Sequence, residues 1–177
     1  SQLNAGDFDT PEQQIGKFNR ARPWETCMTI CQQWAWKPGD KLKSERQCIQ
    51  TLLYTVGGDG TLLLNVGPMP DGAIEPRQVE RLREMGAWLK KYGAGVYGTR
   101  GGPFQPGKWG AATCRDNKIY LFVMKWPAEG PLRLPPIDQE VTEIDCLSDG
   151  EAQVRRGAGG MEIAVPPEHR DEVATVI

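Results

Sequence analysis

The residues best suited to chemistry lie in one stretch, Gly6 to Trp36, which reads GDFDTPEQQIGKFNRARPWETCMTICQQWAW. It carries Asp7, Asp9, Glu12 and Glu25, and it ends on Trp34 and Trp36. A loop carboxyl group can give and take protons in a reaction, and an indole face packs well against the C–H face of a sugar. Glu12 admits two compatible readings. In Thr10-Pro11-Glu12-Gln13 the threonine has the place of a helix cap, Pro11 that of N1, and Gln13 that of the residue closing a capping box. On the residue pattern alone this helix start is the stronger reading. The sharper one makes Glu12 a catalytic acid, since a carboxylate at a helix N-terminus can still face a cleft.

Other reactive types are less well placed. Glu25 competes with Glu12 but begins the apolar run that follows it, and Asp7 and Asp9 share the Glu12 loop. Trp34 and Trp36 lie at alternate positions, so continued extension would put both on one side. Core packing and sugar stacking both remain open for them. Cys27, Cys31, Cys48, Cys114 and Cys146 follow no metal-binding spacing. Cys27 and Cys31 share a strand face yet stand too far apart to bridge, so all five read as free thiols in or near the core. His169 sits in a charged, proline-rich loop and is given no role.

These groups need elements to hold them. Residues 1–22 are polar and loop-like, punctuated by Gly6, Pro11 and Gly16. Trp24 to Cys31 reads as a strand with β-branched Thr26, Thr29 and Ile30. Lys37-Pro38-Gly39-Asp40 is a turn, and Ser44-Glu45-Arg46-Gln47 is a capping box. It opens a helix whose apolar stripe is Cys48, Ile49, Leu52, Leu53 and Val56. Thr61 to Val66 is a continuous apolar run, as expected of a strand buried on both faces. Pro76 starts a second helix with Val79, Leu82, Met85, Gly86 and Leu89 on its stripe, and Gly93 ends it.

The pattern strand–helix–strand–helix belongs to parallel α/β folds. After Gly98 it changes to short β-type segments at Ile119–Trp126, Val141–Leu147, Met161–Val165 and Val173–Ile177, separated by turns that include Gly157–Gly160. That second half reads as an antiparallel sandwich. Two βα units cannot close a barrel, and an apolar run such as Leu62-Leu63-Leu64 needs neighbours on both sides. The sequence therefore reads as the C-terminal portion of a larger assembly.

Composition narrows the partners. The chain has 177 residues, 39% hydrophobic and 25% charged, which fits an ordinary globular protein rather than a disordered one. A formal net charge of -2 gives no footprint for nucleic acid or an anionic membrane. No apolar run approaches the roughly 18 residues of a spanning helix, and no signal-peptide pattern opens the chain.

The motifs GDFDTPEQ, PWETCMTI with Trp34 beyond it, VGGDGTLLLNVGPMPDGAIEP and GAWLKKYGAGVYGTRGGPF occur in that order. Together they resemble the C-terminal half of an α-L-fucosidase of glycoside hydrolase family 29. The likeness is strong over residues 6–104 and looser beyond. It implies the last two βα units of a (β/α)8-type barrel over residues 1–97, then a C-terminal β-sandwich domain over residues 98–177. It also implies a retaining exo-glycosidase that removes terminal α-L-fucose from glycans. An aspartate attacks the anomeric carbon and a second carboxyl group, about 5 Å away, serves as acid and then base.

By that resemblance Glu12 matches the Glu of a Thr-Pro-Glu motif that carries the acid/base, and Trp34 matches an aromatic residue at a strand mouth that stacks on fucose. Glu25 would point to the opposite, stability face of a barrel. The family pattern Trp-Gly-Tyr is replaced here by Trp34-Ala35-Trp36, which leaves Trp36 without a carried-over role. Asn65 reads as an organiser of the strand-to-loop turn. The nucleophile and the sugar-holding histidines belong to earlier strands. The implied partners are a fucosylated glycan and an N-terminal fucosidase portion, from the same gene or a second chain, and this chain alone is expected to be inactive. No metal or organic cofactor is implied, and a periplasmic or secreted setting is favoured.

Two rival readings stand beside this one. The first is a non-catalytic carbohydrate-binding or structural β-sandwich module carrying a barrel remnant. It would need an exposed aromatic platform drawn from Trp109, Tyr120 and Trp126, which read more simply as core. The second is a barrel that has lost catalysis.

Overall fold

The structure is a computed structural model describing residues 6–157 and 159–177. The expected loop character of residues 1–5, and Ala158 in the expected turn at 157–160, lie outside the described residues. The fold is mixed α/β with more sheet than helix elements. In chain order it contains β1 (Glu25–Thr29), α1 (Glu45–Gly57), β2 (Thr61–Asn65) and α2 (Pro76–Tyr92). Seven strands follow: β3 (Arg100–Gly101), β4 (Gly110–Arg115), β5 (Lys118–Val123), β6 (Leu132–Leu134), β7 (Gln153–Gly157), β8 (Gly160–Ala164) and β9 (Thr175–Val176).

β1 and β2 pair in parallel with Glu25 opposite Thr61 and Thr29 opposite Asn65, and α1 supplies the crossover. The α1 start is the capping box the sequence predicts. Ser44 Oγ accepts from Gln47 N at 3.1 Å, and Gln47 Oε1 accepts from Ser44 N at 2.9 Å. Two expectations change in this half. No helix begins at Thr10. Residues 9–13 instead run parallel to β1, with Asp9 bridged to Trp24 and Glu12 to Cys27. That pairing engages the backbone on both sides of Pro11, whose carbonyl accepts from Cys27 N; the bond missing from the ladder is the one a Pro11 N–H would have made. Nor is β2 buried on both faces: Leu64 packs against the core shared with the helices, whereas Leu63, turned to the other face, is 44% exposed. The buried stripe of α2 is also rotated from the predicted one. Gln78, Met85, Trp88 and Tyr92 are buried, whereas Leu82 is 39% exposed.

The second half forms two antiparallel sheets, β3-β4-β5-β9 and β6-β8-β7. Strand β5 shows why both belong to one body. Tyr120, Phe122 and Met124 alternate onto a core shared with Ile49, Leu53, Met85 and Trp88 of the helices. Leu121 and Val123 face the opposite way, into a core with Leu132, Leu134, Met161 and Ile163 of the smaller sheet. The four-stranded sheet is therefore covered on both faces. β4 was hidden from sequence reading because it is built of small residues, and small residues are what its position demands. Ala111 and Ala112 are wholly buried, and a Cβ at Gly57 of α1 would stand 2.6 Å from that of Ala111.

The segment Val141–Leu147 is not a strand. Its apolar residues Val141, Ile144 and Leu147 recur every third position, so a strand could not turn all three inward. Its recorded backbone bond is Leu147 N to Val176 O, 2.8 Å.

Asp59 ties the two halves. It sits at φ 68°, which aspartate tolerates, and its carboxylate accepts from Arg100 Nε (2.9 Å), Arg100 Nη2 (2.5 Å) and the Gly101 amide (2.6 Å). Burial pushes its pKa upward, but the Arg100 and Gly101 hydrogen bonds outweigh that and hold it below the usual carboxylate range. A lowered folded pKa contributes stability that is complete above the unfolded value and disappears as pH falls through the folded one. Asp59→Asn is expected to cost about 1–2 kcal/mol near neutrality, discounted because Arg100 is half in solvent. Urea unfolding across pH 2–7 should show the wild-type advantage shrinking below about pH 4; a difference constant with pH would contradict this role.

Candidate active site at the C-terminal end of the parallel strands

The chemistry-bearing residues are placed by β1. Parallel pairing is carried by Asp9 N to Pro23 O (3.0 Å), Glu25 N to Asp9 O (2.8 Å), Cys27 N to Pro11 O (3.1 Å) and Gln13 N to Cys27 O (2.9 Å). This register sets Glu12 beside Cys27, in the middle of β1. Gln13, adopting φ 54°, crosses to the C-terminal end, where its Nε2 donates to Thr29 Oγ1 at 3.1 Å. Glu12 itself is exposed. Asp9 is ion-paired with Arg22 at 2.8 Å. Glu25 lies at the other end of the strand, accepting from Thr61 Oγ1 at 3.1 Å. Asp7 is exposed in the approach to the paired segment.

The chain bends at Ile30 instead of extending, so Trp34 and Trp36 do not share a side through strand alternation. Lys43 Nζ donates to the carbonyls of Thr29 and Cys31 at the bend. Asp40 closes the loop: its Oδ2 accepts from the amides of Gln32 (3.1 Å) and Gln33 (2.9 Å), and its Oδ1 from Lys41 N (2.8 Å). The Gln33 amide is the main reason that the Asp40 carboxyl is held below its usual range. Trp34 is left 39% exposed while its carbonyl accepts from Asn65 Nδ2 at 2.9 Å, so the Asn65 amide ties the neighbouring loop rather than its own strand-to-loop turn.

The loop after β2 locks into the loop after β1. A Cβ on Gly67 would stand 2.5 Å from Trp36 N, and Gly67 N donates to Oε1 of buried Gln78 at 3.2 Å. Trp36 Nε1 donates to Glu75 Oε2 at 3.2 Å. Glu75 is also paired with Arg77, whose Nη1 donates to Asp40 O at 3.3 Å. The Arg77 hydrogen bond is the chief cause of a lowered Glu75 pKa. Between these loops Ile30, Ala35, Trp36, Asp40, Asn65 and Gln78 close around a crevice too tight to admit a water molecule, and Glu12 does not line it.

Sequence reading missed Gln13, Asp40, Glu75 and Gln78 as supports of this end. Asp40 was legible only as a turn residue, and Gln13 only as part of a helix cap. No pattern in the chain links Glu75 to Trp36, which are far apart in sequence. Among the described residues no group of His, Cys, Asp or Glu could hold a metal ion, and the five cysteines are free. No described helix is long and apolar enough to cross a membrane.

Gly67→Ala places a methyl group against backbone that cannot swing aside. It is expected to destabilise the chain by about 1–3 kcal/mol in urea unfolding. Unchanged stability would show that the two loops separate at little cost.

Comparison with known proteins gives a consistent picture. The sequence profile of the family described as alpha-L-fucosidase matches residues 1–94. The plasma alpha-L-fucosidase of Homo sapiens is 35% identical over 140 residues, covering 72% of this chain and 30% of that protein. Among solved structures, alpha-L-fucosidase isoenzyme 1 from Paenibacillus thiaminolyticus superposes with a TM-score of 0.83 at 29% identity, covering 97% of this chain and 44% of the other. The Thermotoga maritima alpha-fucosidase in complex with fucose gives a TM-score of 0.75 at 25% identity, with 99% and 42% covered. The chain thus spans about a third of the curated relative it matches.

Proposed function

The chain belongs to the alpha-L-fucosidase family, and from that premise we propose that it is the acid/base-bearing part of a retaining α-L-fucosidase acting on terminal fucose of glycans. In this reading Glu12 protonates the leaving oxygen and then activates water, and Trp34 packs on the fucose ring. The observation that carries it is the parallel register: Glu12 pairs with Cys27 in the middle of β1, the next residue Gln13 bonds Thr29 at its C-terminal end, and the Trp34 loop leaves from that end. In parallel α/β folds that end is where reacting groups collect. Glu25 lies at the opposite end, accepting from Thr61 Oγ1, which supports giving the role to Glu12.

We further infer that β1 and β2 with their helices are the last two βα units of a (β/α)8-type barrel over residues 1–97, and that the two antiparallel sheets over residues 98–177 form a β-sandwich domain. Support comes from surfaces that demand a neighbour. β2 has no described partner on its outer edge, and Leu63, Leu82, Phe8 and Ile15 are large apolar side chains left in solvent. An N-terminal portion covering them would supply the nucleophile. It would also take Glu12 out of bulk water, as a general acid that must keep its proton requires. The rival sugar-binding module loses its best feature. Tyr120 is 8% exposed, Trp109 packs against the second core, and Trp126 lies between Arg170 and Thr175, donating to Thr175 Oγ1 at 3.2 Å.

Incubated alone with 4-nitrophenyl α-L-fucoside, the chain is expected to give no turnover, and activity should return when the N-terminal portion is added. Turnover by the lone chain would refute the shared-site reading. In the combined enzyme Glu12→Gln should lower kcat on the order of a hundredfold or more. A loss below about threefold would remove Glu12 from the chemistry and leave the degenerate-barrel reading.

A further inference from the structure

Trp36 is the aromatic residue of the loop to which the family resemblance carries over no role. We infer that Trp36 and Glu75 form a positioning pair that fixes the loop carrying Trp34, and so sets sugar affinity without touching the sugar; the inference rests on the reading of Trp34 as the fucose platform. Trp36 is half-buried, and its indole N–H is spent on Glu75 Oε2 at 3.2 Å. Its backbone is pressed against Gly67 so closely that a methyl group there would overlap it. An aromatic residue so engaged at both its backbone and its polar edge is an anchor.

Glu75 holds the loop at two points. It accepts from Trp36 near the middle, and through Arg77 it reaches Asp40 O at the end, where the Asp40 carboxylate gathers the amides of Gln32 and Gln33. Trp34 lies between Gln33, whose amide Asp40 holds, and Trp36; its recorded hydrogen bond is from Asn65 Nδ2 to its carbonyl, and the residue is 39% exposed. Glu75 occupies the N-cap position of α2 yet makes no side-chain cap bond to that helix. Its carboxylate is turned to the loop, where a helix N-terminus still favours its negative charge. A stacking platform binds best when its orientation is settled before the ligand arrives, so loosening this pair should weaken binding and spare the chemical step.

The test uses 5-fluorotryptophan-labelled chain, with the Trp34 fluorine signal assigned by Trp34→Phe. Trp36→Phe and Glu75→Ala should each shift or broaden that signal, while Glu75→Gln, which can still accept the indole N–H, should restore it in part. Melting temperature is followed alongside, and a Trp34 signal unmoved in both disruptive variants would overturn the inference even if stability fell. In the chain combined with its N-terminal portion, KM for 4-nitrophenyl α-L-fucoside should rise about fivefold or more with kcat within twofold. A fall in kcat with KM unchanged would contradict the positioning role. Absence of turnover in the wild-type combination would instead sink the fucosidase reading, leaving the fluorine signal to decide the loop anchor.

Discussion

Four backbone hydrogen bonds between residues 9–13 and residues 23–27, the last three on β1, decide where the candidate groups stand. Parallel pairing fixes direction as well as register, so a segment docked this way delivers its far end to the far end of the strand. Glu12 stands beside the middle of β1, Gln13 reaches the end from which the Trp34 loop departs, and Glu25 is left at the other end. The same pairing converts a proline-marked loop from a helix start into the third member of a parallel set. Gln13 then finds Thr29 instead of the backbone of Thr10.

What stands behind that end is a stack of layers whose inner sheet has no wet face. Phe122 and Val123 are adjacent in sequence and wholly buried, one against the helices and the other against the smaller sheet. Fully burying side chains of this size contributes about 1.5–3 kcal/mol each before entropy is counted. The arrangement gives α1 and α2 a firm seat, and α2 in turn presents Glu75, Arg77 and Gln78 to the loops at the strand ends. The Asp59–Arg100 pair adds a polar tie across the same junction. Support for the mouth therefore comes from beneath, through elements distant in sequence from the residues they hold.

The sequence was readable wherever one local physical rule was enough. The Ser44 capping box, the α1 stripe, the strands around Met28 and Leu63 and the segment around Ile163 all follow from cap chemistry or periodicity. Reading failed where a neighbour overruled the local signal. Thr10–Gln13 satisfies every rule for a helix start and still pairs with β1. β4 is spelled with glycine and alanine, poor strand formers that close packing against α1 requires. Val141, Ile144 and Leu147 are apolar enough for a strand but spaced in threes. At the candidate site, motif order suggested Glu12 and Trp34 through a family resemblance alone. The carboxylates of Asp40 and Glu75 were not legible, because their partners are loop amides and an indole brought close only by folding.

The central claim is that Glu12 transfers a proton to the departing oxygen. The dependence of rate on the leaving group tests it most directly, because an acid matters more as the departing oxygen becomes more basic. With the chain combined with its N-terminal portion, wild-type and Glu12→Gln enzymes would be compared on phenyl and 2,4-dinitrophenyl α-L-fucosides. The account predicts that the substitution slows the phenyl substrate at least about tenfold more than the dinitrophenyl one. Equal slowing of the two would contradict it and move the proton donor elsewhere.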